Sequence, residues 1–197
     1  MAICLIDTGL DCVCEGFKTP GFQNLWLANR SAVESFTQTP CEVGGADSLG
    51  NDVNSITAAT SSQGLLYEVC ALDDSLQLDN NTEKVNFIYL ATKTLSFKFS
   101  KTECVHTVFM QQLKTAKVLA ILKDRDGMYW IAGLGEGFRT TTFVDLGGTT
   151  IDSEATVTYT GTAVDKYEVV RFLLGDASMT LEDRLAQTAA WIASVTA

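Results

Sequence analysis

Positive charge is scarce in this chain. Its 197 residues carry 14 Lys and Arg against 24 Asp and Glu, a formal net charge of −10. No basic run and no basic helix face occurs, which excludes binding of nucleic acid by clustered Lys and Arg. Histidine is nearly absent, with His106 alone. Long apolar runs are missing too, so no segment reads as a membrane-spanning helix. The opening Met1-Ala2-Ile3-Cys4-Leu5-Ile6-Asp7 has no positive stretch and meets Asp7 and Asp11 early, unlike a signal peptide. The expectation is a protein made and folded in a cytosol, with its six cysteines mostly reduced. No G-x-S-x-G, H-E-x-x-H or paired-carboxylate motif is present, which leaves an enzyme reading little to rest on. What remains is ample apolar material, 46% of the residues, enough for a sizeable core.

The chain is organised around residues 84–144. Thr94-Leu95-Ser96-Phe97-Lys98-Phe99 alternates with period two, placing Leu95, Phe97 and Phe99 on one face of a half-buried strand. Ser100-Lys101-Thr102-Glu103 has the form of a capping box, and Val105, Val108, Phe109 and Leu113 follow at helical spacing. Lys114 and Lys117 near the helix end suit its dipole. Val118-Leu119-Ala120-Ile121-Leu122 is a continuous apolar run, short and rich in Val and Ile, which predicts a strand buried on both faces. Asp124-Arg125-Asp126-Gly127 before Met128-Tyr129-Trp130-Ile131-Ala132 predicts a hairpin, since Gly adopts positive φ freely. Gly133, Gly135 and Gly137 then predict a glycine-spaced strand with a bend or a close backbone approach.

The flanking segments read as follows. Gln23–Ala28 is a first strand. From Thr37 to Gly64 the composition turns to Gly, Ser, Thr, Asn and Asp, which reads as a long loop holding a short strand at Val53–Thr57. Leu65–Ala71 is strand-like, Asp73-Asp74 and Asp79-Asn80-Asn81 bracket an exposed turn, and Val85–Leu90 is a strand. Thr140–Val144, Thr156–Thr160 closed by Gly161, and Tyr167–Leu173 complete the β segments. Thr180 caps a final helix whose stripe is Leu181, Leu185, Ala189 and Ile192, with Trp191 at its edge. Such a helix packs on its own core or on a neighbour.

Candidate chemistry is thin. Cys4 and the Cys12-Val13-Cys14 pair offer thiolates for a metal or redox site, but paired knuckles or nearby histidines are missing, and small thiols in an N-terminal arm account for them better. His106 and Cys104 lie two residues apart on the predicted helix, about 200° apart around its axis, which disfavours a nucleophile pair. Asp73 and Asp74 lack the calcium-loop pattern, and Gly133–Gly137 lacks both the dinucleotide spacing and a following Lys-Ser/Thr. No catalytic, cofactor-binding or metal residue is assigned.

The order of elements resembles phage tail tube proteins. The likeness rests on Met1-Ala2-Ile3-Cys4 and a glycine-containing arm, on Leu25-Trp26-Leu27-Ala28, on strand into helix over Leu95–Leu113, on Ile121–Gly137, and on a Thr-rich strand ending Tyr159-Thr160-Gly161. It spans about two-thirds of the chain without a diagnostic motif, and the sequence departs from it after Arg171, where the Met179–Val195 helix is longer. The resemblance implies a mainly β (α+β) fold: a single domain over 1–197, a β-sandwich or half-barrel with one flanking α-helix, an N-terminal arm at 1–21, a loop insertion at 37–64 and a C-terminal helix at 179–195. It implies no catalysis. Copies, six to a ring, would join edge to edge and stack into a tail tube in the virion, assembled in the host cytoplasm. DNA would pass an acidic-lined lumen without specific binding, and the other partners would be tail or connector proteins, with no membrane. A head-to-tail connector or tail terminator ring is the alternative within the class. A cytosolic metal-binding or redox protein using Cys4, Cys12, Cys14 and His106, and a monomeric β-sandwich binding module, are the alternatives outside it.

Overall fold

The computed structural model describes residues 21–39, 52–58, 65–71, 75–85, 88–100, 104–146, 156–165, 169–176 and 178–196. In chain order the described elements are strands β1 (Phe22–Asn29), β2 (Val33–Thr39), β3 (Asp52–Ala58), β4 (Tyr67–Val69), β5 (Gln77–Val85) and β6 (Ile88–Ser100), helix α1 (Cys104–Thr115), strands β7 (Val118–Asp124), β8 (Tyr129–Ala132), β9 (Arg139–Leu146), β10 (Thr156–Asp165) and β11 (Val170–Phe172), and helix α2 (Leu181–Val195). The fold is mainly β. A seven-stranded sheet has the order β2-β3-β11-β8-β7-β1-β4, and a four-stranded sheet the order β5-β6-β10-β9. Neighbours are antiparallel except β3 and β11.

The continuous apolar run becomes β7, and Val118 to Leu122 are all buried. A strand alternates its side chains between faces, so both sides of the large sheet must be covered here. Ala120 and Leu122 join Leu25 and Leu27 of β1 in a core with Leu95, Phe97 and Phe99 of β6 and Val157 and Tyr159 of β10. Leu119 and Ile121 join Trp26, Ile131 and Phe172 in a second core, closed by Ile192 and Val195 of α2. The layers are therefore small sheet, large sheet and helix. The final helix packs on its own sheet. Each large apolar side chain buried this way stabilises the fold by roughly 1.5–3 kcal/mol.

Local signals explain much of this. Leu95, Phe97 and Phe99 point inward as their alternation requires, and Phe97 stacks on Tyr159 at 4.9 Å between ring centres. The Asp-Gly hairpin joins β7 to β8, with Gly127 at φ 86°. Asp124 holds it: Oδ1 accepts from the backbone N–H of Asp126 and of Met128, both at 2.9 Å, and Oδ2 accepts from Trp130 Nε1 at 2.8 Å. Thr180 caps α2, its hydroxyl accepting from Asp183 N–H at 3.2 Å. The capping box proposed for α1 falls partly on residues 101–103, outside the described residues.

Several expectations change. Gly133–Gly137 is a loop between β8 and β9, with Gly133 at φ 80° and Gly137 at φ 78°, because Arg30 docks into it. Arg30 Nε donates to the carbonyls of Leu134 at 2.8 Å and Gly135 at 3.0 Å, and Nη1 donates to Val33 O at 2.7 Å. Asp79-Asn80-Asn81 lies within β5, where an edge strand with a single neighbour tolerates exposed polar side chains. Val85 ends β5 and pairs with Ile88, the first residue of β6, so the expected Val85–Leu90 strand is divided between two. Within 37–64, Thr37–Thr39 ends β2, and the short strand expected at Val53–Thr57 is β3, hydrogen-bonded between β2 and β11; residues 40–51 and 59–64 lie outside the described residues. On α2 the inward face is Leu185, Thr188, Ile192 and Val195; Leu181 and Ala189 are exposed.

Gly161 does not close its strand; β10 runs on to Asp165. A side chain at Gly161 would overlap the Tyr159 hydroxyl, so the missing Cβ makes room for that group. The hydroxyl is buried and finds no hydrogen-bond partner among the described residues; the adjacent Thr140 gives its own hydrogen to Leu113 O at 2.6 Å. Burial pushes Tyr159 from its ordinary value of 10.0 up to about 12, with Thr140 pulling weakly the other way. A group whose folded-state pKa is raised contributes stability that is intact below its unfolded value. That stability is lost as pH climbs through the window from about 10 to 12. Tyr159→Phe is therefore expected to melt at or above the wild-type temperature at pH 7, since it removes a buried unsatisfied hydroxyl. It should also lose less stability than wild type between pH 10 and 12. A clear drop in Tm at pH 7 would count against this account.

Candidate functional site

The four-stranded sheet presents one face to the core and the other to the outside. Thr92, Thr94 and Ser96 of β6 and Thr158, Thr160 and Thr162 of β10 are half-buried on the outer face, opposite the buried Leu95, Phe97, Val157 and Tyr159. The registers place Thr94 beside Thr162, Ser96 beside Thr160, and Thr160 beside Thr142 of β9. Cross-strand Thr–Thr and Thr–Ser pairs of this type contribute about 0.2–1 kcal/mol each. Among the described residues of these rows the charges are Asp79, next to Thr94, Lys98, next to Thr158, and Arg139, next to Thr162 and paired with Glu136. Val144 and Val164 are exposed on the same side, at 40% and 51%. The result is a hydroxyl-rich surface on which the described charges are scattered singly.

Among the described strands both margins of this sheet lack a strand neighbour, and α1 lies beside β9, where Thr140 donates to Leu113 O. β5 pairs with β6 alone and β9 with β10 alone among the described strands, so each leaves one row of backbone N–H and C=O groups without a strand partner. The two margins are staggered. β5 spans the levels of Ile88 to Ser96 along β6, while β9, read through β10, spans those of Thr94 to Ser100.

A second constellation is ionic and buried. Asp52, at the start of β3, accepts from Arg171 Nε at 2.9 Å through Oδ1 and from Arg184 Nη1 at 3.3 Å through Oδ2. Arg184 Nη2 donates to Leu173 O at 2.7 Å. Thr188 completes the patch, accepting from Leu174 N–H at 2.9 Å and donating to Arg184 O at 2.8 Å. Both carboxylate oxygens are engaged and the group sits between α2, β3 and β11, so it clamps helix to sheet and offers no free base for chemistry.

Cys4, Cys12 and Cys14, like Asp73 and Asp74, lie outside the described residues. His106 lies on α1. The glycine loop turns the carbonyls of Leu134 and Gly135 toward Arg30, the opposite polarity from an N–H cradle for phosphate. Cys70, just past β4, is an exposed thiol. Among the described residues no group of three His, Cys, Asp or Glu side chains is placed to hold a metal ion, and no helix is long and apolar enough to cross a membrane. The open margins and the ionic clamp carried no local signal, because both depend on which distant segments become neighbours. No protein-family model, curated protein or solved structure matches this chain.

Removing one partner of a buried ionic cluster leaves the others desolvated and uncompensated. Asp52→Ala is expected to cost about 3–5 kcal/mol in urea unfolding. The exposed pair of Arg139 with Glu136, at 2.9 Å, should cost under about 1 kcal/mol when Arg139→Ala breaks it. Equal losses would overturn the reading of Asp52 as a clamp.

Proposed function

We propose that this chain is a self-assembling structural protein, the tube-forming subunit of a phage tail, whose function resides in its contacts with copies of itself. The observation that carries this reading is the four-stranded sheet, whose two margins are staggered and have no strand neighbour among the described residues. Its strands alternate in direction, so β9 of one copy and β5 of the next run antiparallel, and repetition preserves the antiparallel pattern throughout. The lengths match, at 8 residues for β9 and 9 for β5.

The stagger also fits closure. The centres of β5 and β9 differ by about five residues of strand, or about 16 Å, across a sheet about 19 Å wide. Matching the margins then inclines the strands by about 40°, within the tilt of closed barrels. Six copies would supply 6 × 4 = 24 strands. Closure removes the exposed edges, which are otherwise aggregation sites.

On this arrangement one face of the sheet lines the conduit. If the threonine face does so, the wall offers DNA mainly hydroxyls, with Lys98 on the strand beside that of Asp79 and Arg139 engaged by Glu136, and a polyanion finds no cluster of cations among the described residues to hold it. The acidic character expected of the lumen then rests on the net charge of −10 rather than on the described residues of this face. A connector or terminator ring would use the same margins but stop at one layer. The long C-terminal helix, which set this chain apart from the resemblance, covers its own sheet and gives no ground for preferring that alternative.

Negative-stain microscopy over a concentration series tests the proposal, with hollow tubes of uniform width as the expected result. Discrete rings would favour the connector, and monomers at every concentration would sink both. Proline on the outer margin of β5 should block pairing. Because ladder N–H groups alternate along an edge, Asp79→Pro and Asn80→Pro are compared. The one that retains wild-type melting is expected to form no tubes.

A further inference from the structure

The sequence holds a single Asp-Gly step, Asp126-Gly127, and no Asn-Gly step. An aspartyl residue can cyclise onto the chain that follows it. The next backbone nitrogen bonds to the side-chain Cγ, the Cγ–OH bond breaks, and the amide hydrogen leaves with that hydroxyl as water. Water then reopens the five-membered imide. Opening at Cγ restores aspartate. Opening at the main-chain carbonyl leaves isoaspartate, with the chain routed through the side chain and one carbon longer. The sequence of steps needs neither oxidant nor cofactor. A following glycine favours it, having no side chain to obstruct the attack.

The surroundings of this step leave room for the reaction. Asp126 is exposed in the hairpin between β7 and β8. No atom lies within 4 Å of the place where a Gly127 side chain would stand. What is withheld is freedom of the backbone. The attack requires the peptide plane of Gly127 to turn its nitrogen toward Cγ and to release the N–H proton. Gly127 N–H instead donates to Asp124 O at 3.1 Å. On either side of it, Asp126 N–H and Met128 N–H both donate to Asp124 Oδ1 at 2.9 Å. Asp124 N–H closes the loop on Met128 O at 2.9 Å. The carboxylate that does this is itself fixed, since Trp130 Nε1 donates to its other oxygen at 2.8 Å. Every bond in this set runs to Asp124.

We propose that Asp126–Gly127 is a site of spontaneous isoaspartate formation in this chain, and that Asp124 sets its rate by holding the turn closed. This goes beyond the assembly reading and holds whether or not copies associate. The product alters the hairpin. One extra main-chain carbon at position 126 ends the match of Asp124 Oδ1 to two N–H groups and disturbs the pairing of Lys123 with Tyr129, the rung of the β7–β8 ladder nearest the turn.

Protein kept for weeks at neutral pH, then digested, tests this. The peptide carrying Asp126 is assayed for isoaspartate by enzymatic methylation with a labelled methyl donor. Wild type unfolded in urea gives the unrestrained rate, and folded wild type is expected to fall far below it. Asp124→Ala, which removes both Oδ1 bonds, is expected to raise the folded rate about thirtyfold, the factor that two ordinary hydrogen bonds are together worth. If Asp124→Ala does not fold, Trp130→Phe, which frees the other carboxylate oxygen, is expected to raise the rate by a smaller factor. Adding Gly127→Asn to Asp124→Ala should return the rate to the wild-type level or lower, because Asn tolerates positive φ and its side chain obstructs the attack. Leu95→Ala, a core truncation in the other sheet, weakens the whole molecule and should leave the rate unchanged. A rise in Leu95→Ala equal to that in the turn variants would mean that global opening controls the reaction. Folded wild type as fast as the urea-unfolded chain would mean that the turn protects nothing. Either result overturns the proposal, as does an unchanged rate in the folded turn variant.

Discussion

Over its first five residues β7 has no face that water can reach. Val118 to Leu122 are buried whichever way they point, so the chain must cover the large sheet twice. One cover is the four-stranded sheet, with Phe97, Phe99 and Tyr159. The other is α2, with Ile192 and Val195. β1 follows the same division, Leu25 and Leu27 to one side and Trp26 and Ala28 to the other. A sheet buried on one side only would tolerate polar residues at every second position. Here the sequence excludes that, and the three-layer arrangement follows.

The few cations are placed with similar economy. Arg30 is engaged by three backbone carbonyls, and Arg171 and Arg184 share one buried carboxylate. Lys117 and Arg139 both approach Glu136 at the surface. In a chain with 14 basic residues, committing these to internal and local partners further reduces the positive surface open to a polyanion. The absence of basic patches and the hydroxyl face of the small sheet act in the same direction.

What could be read in advance was local. The alternation of Leu95, Phe97 and Phe99, the Asp124–Gly127 turn and the Thr180 cap each depend on residues within a few positions of one another, and each is present. The failures share a cause. Gly133–Gly137 became a loop because Arg30, about a hundred positions away, takes its carbonyls. Asp79–Asn81 became a strand because β6 was there to pair with it. Asp52 meets Arg171 and Arg184 across 119 and 132 positions, a separation that no window of sequence reports. The open margins of the small sheet were likewise invisible, since being at an edge is a property of topology and not of any strand's composition.

The double cover of β7 has a consequence for how the molecule is made. Synthesis runs from the N-terminus, and the strands of the large sheet and the small sheet all precede α2 in the chain. Among the described elements α2 is the helix that covers Leu119, Ile121 and Phe172 on this face. A large sheet without α2 would expose this apolar face, the kind of surface through which β-rich intermediates aggregate. Strand pairings between distant segments, such as β3 with β11, also form slowly. Docking of α2 therefore does more than add a layer, since it also removes a surface on which copies could associate wrongly.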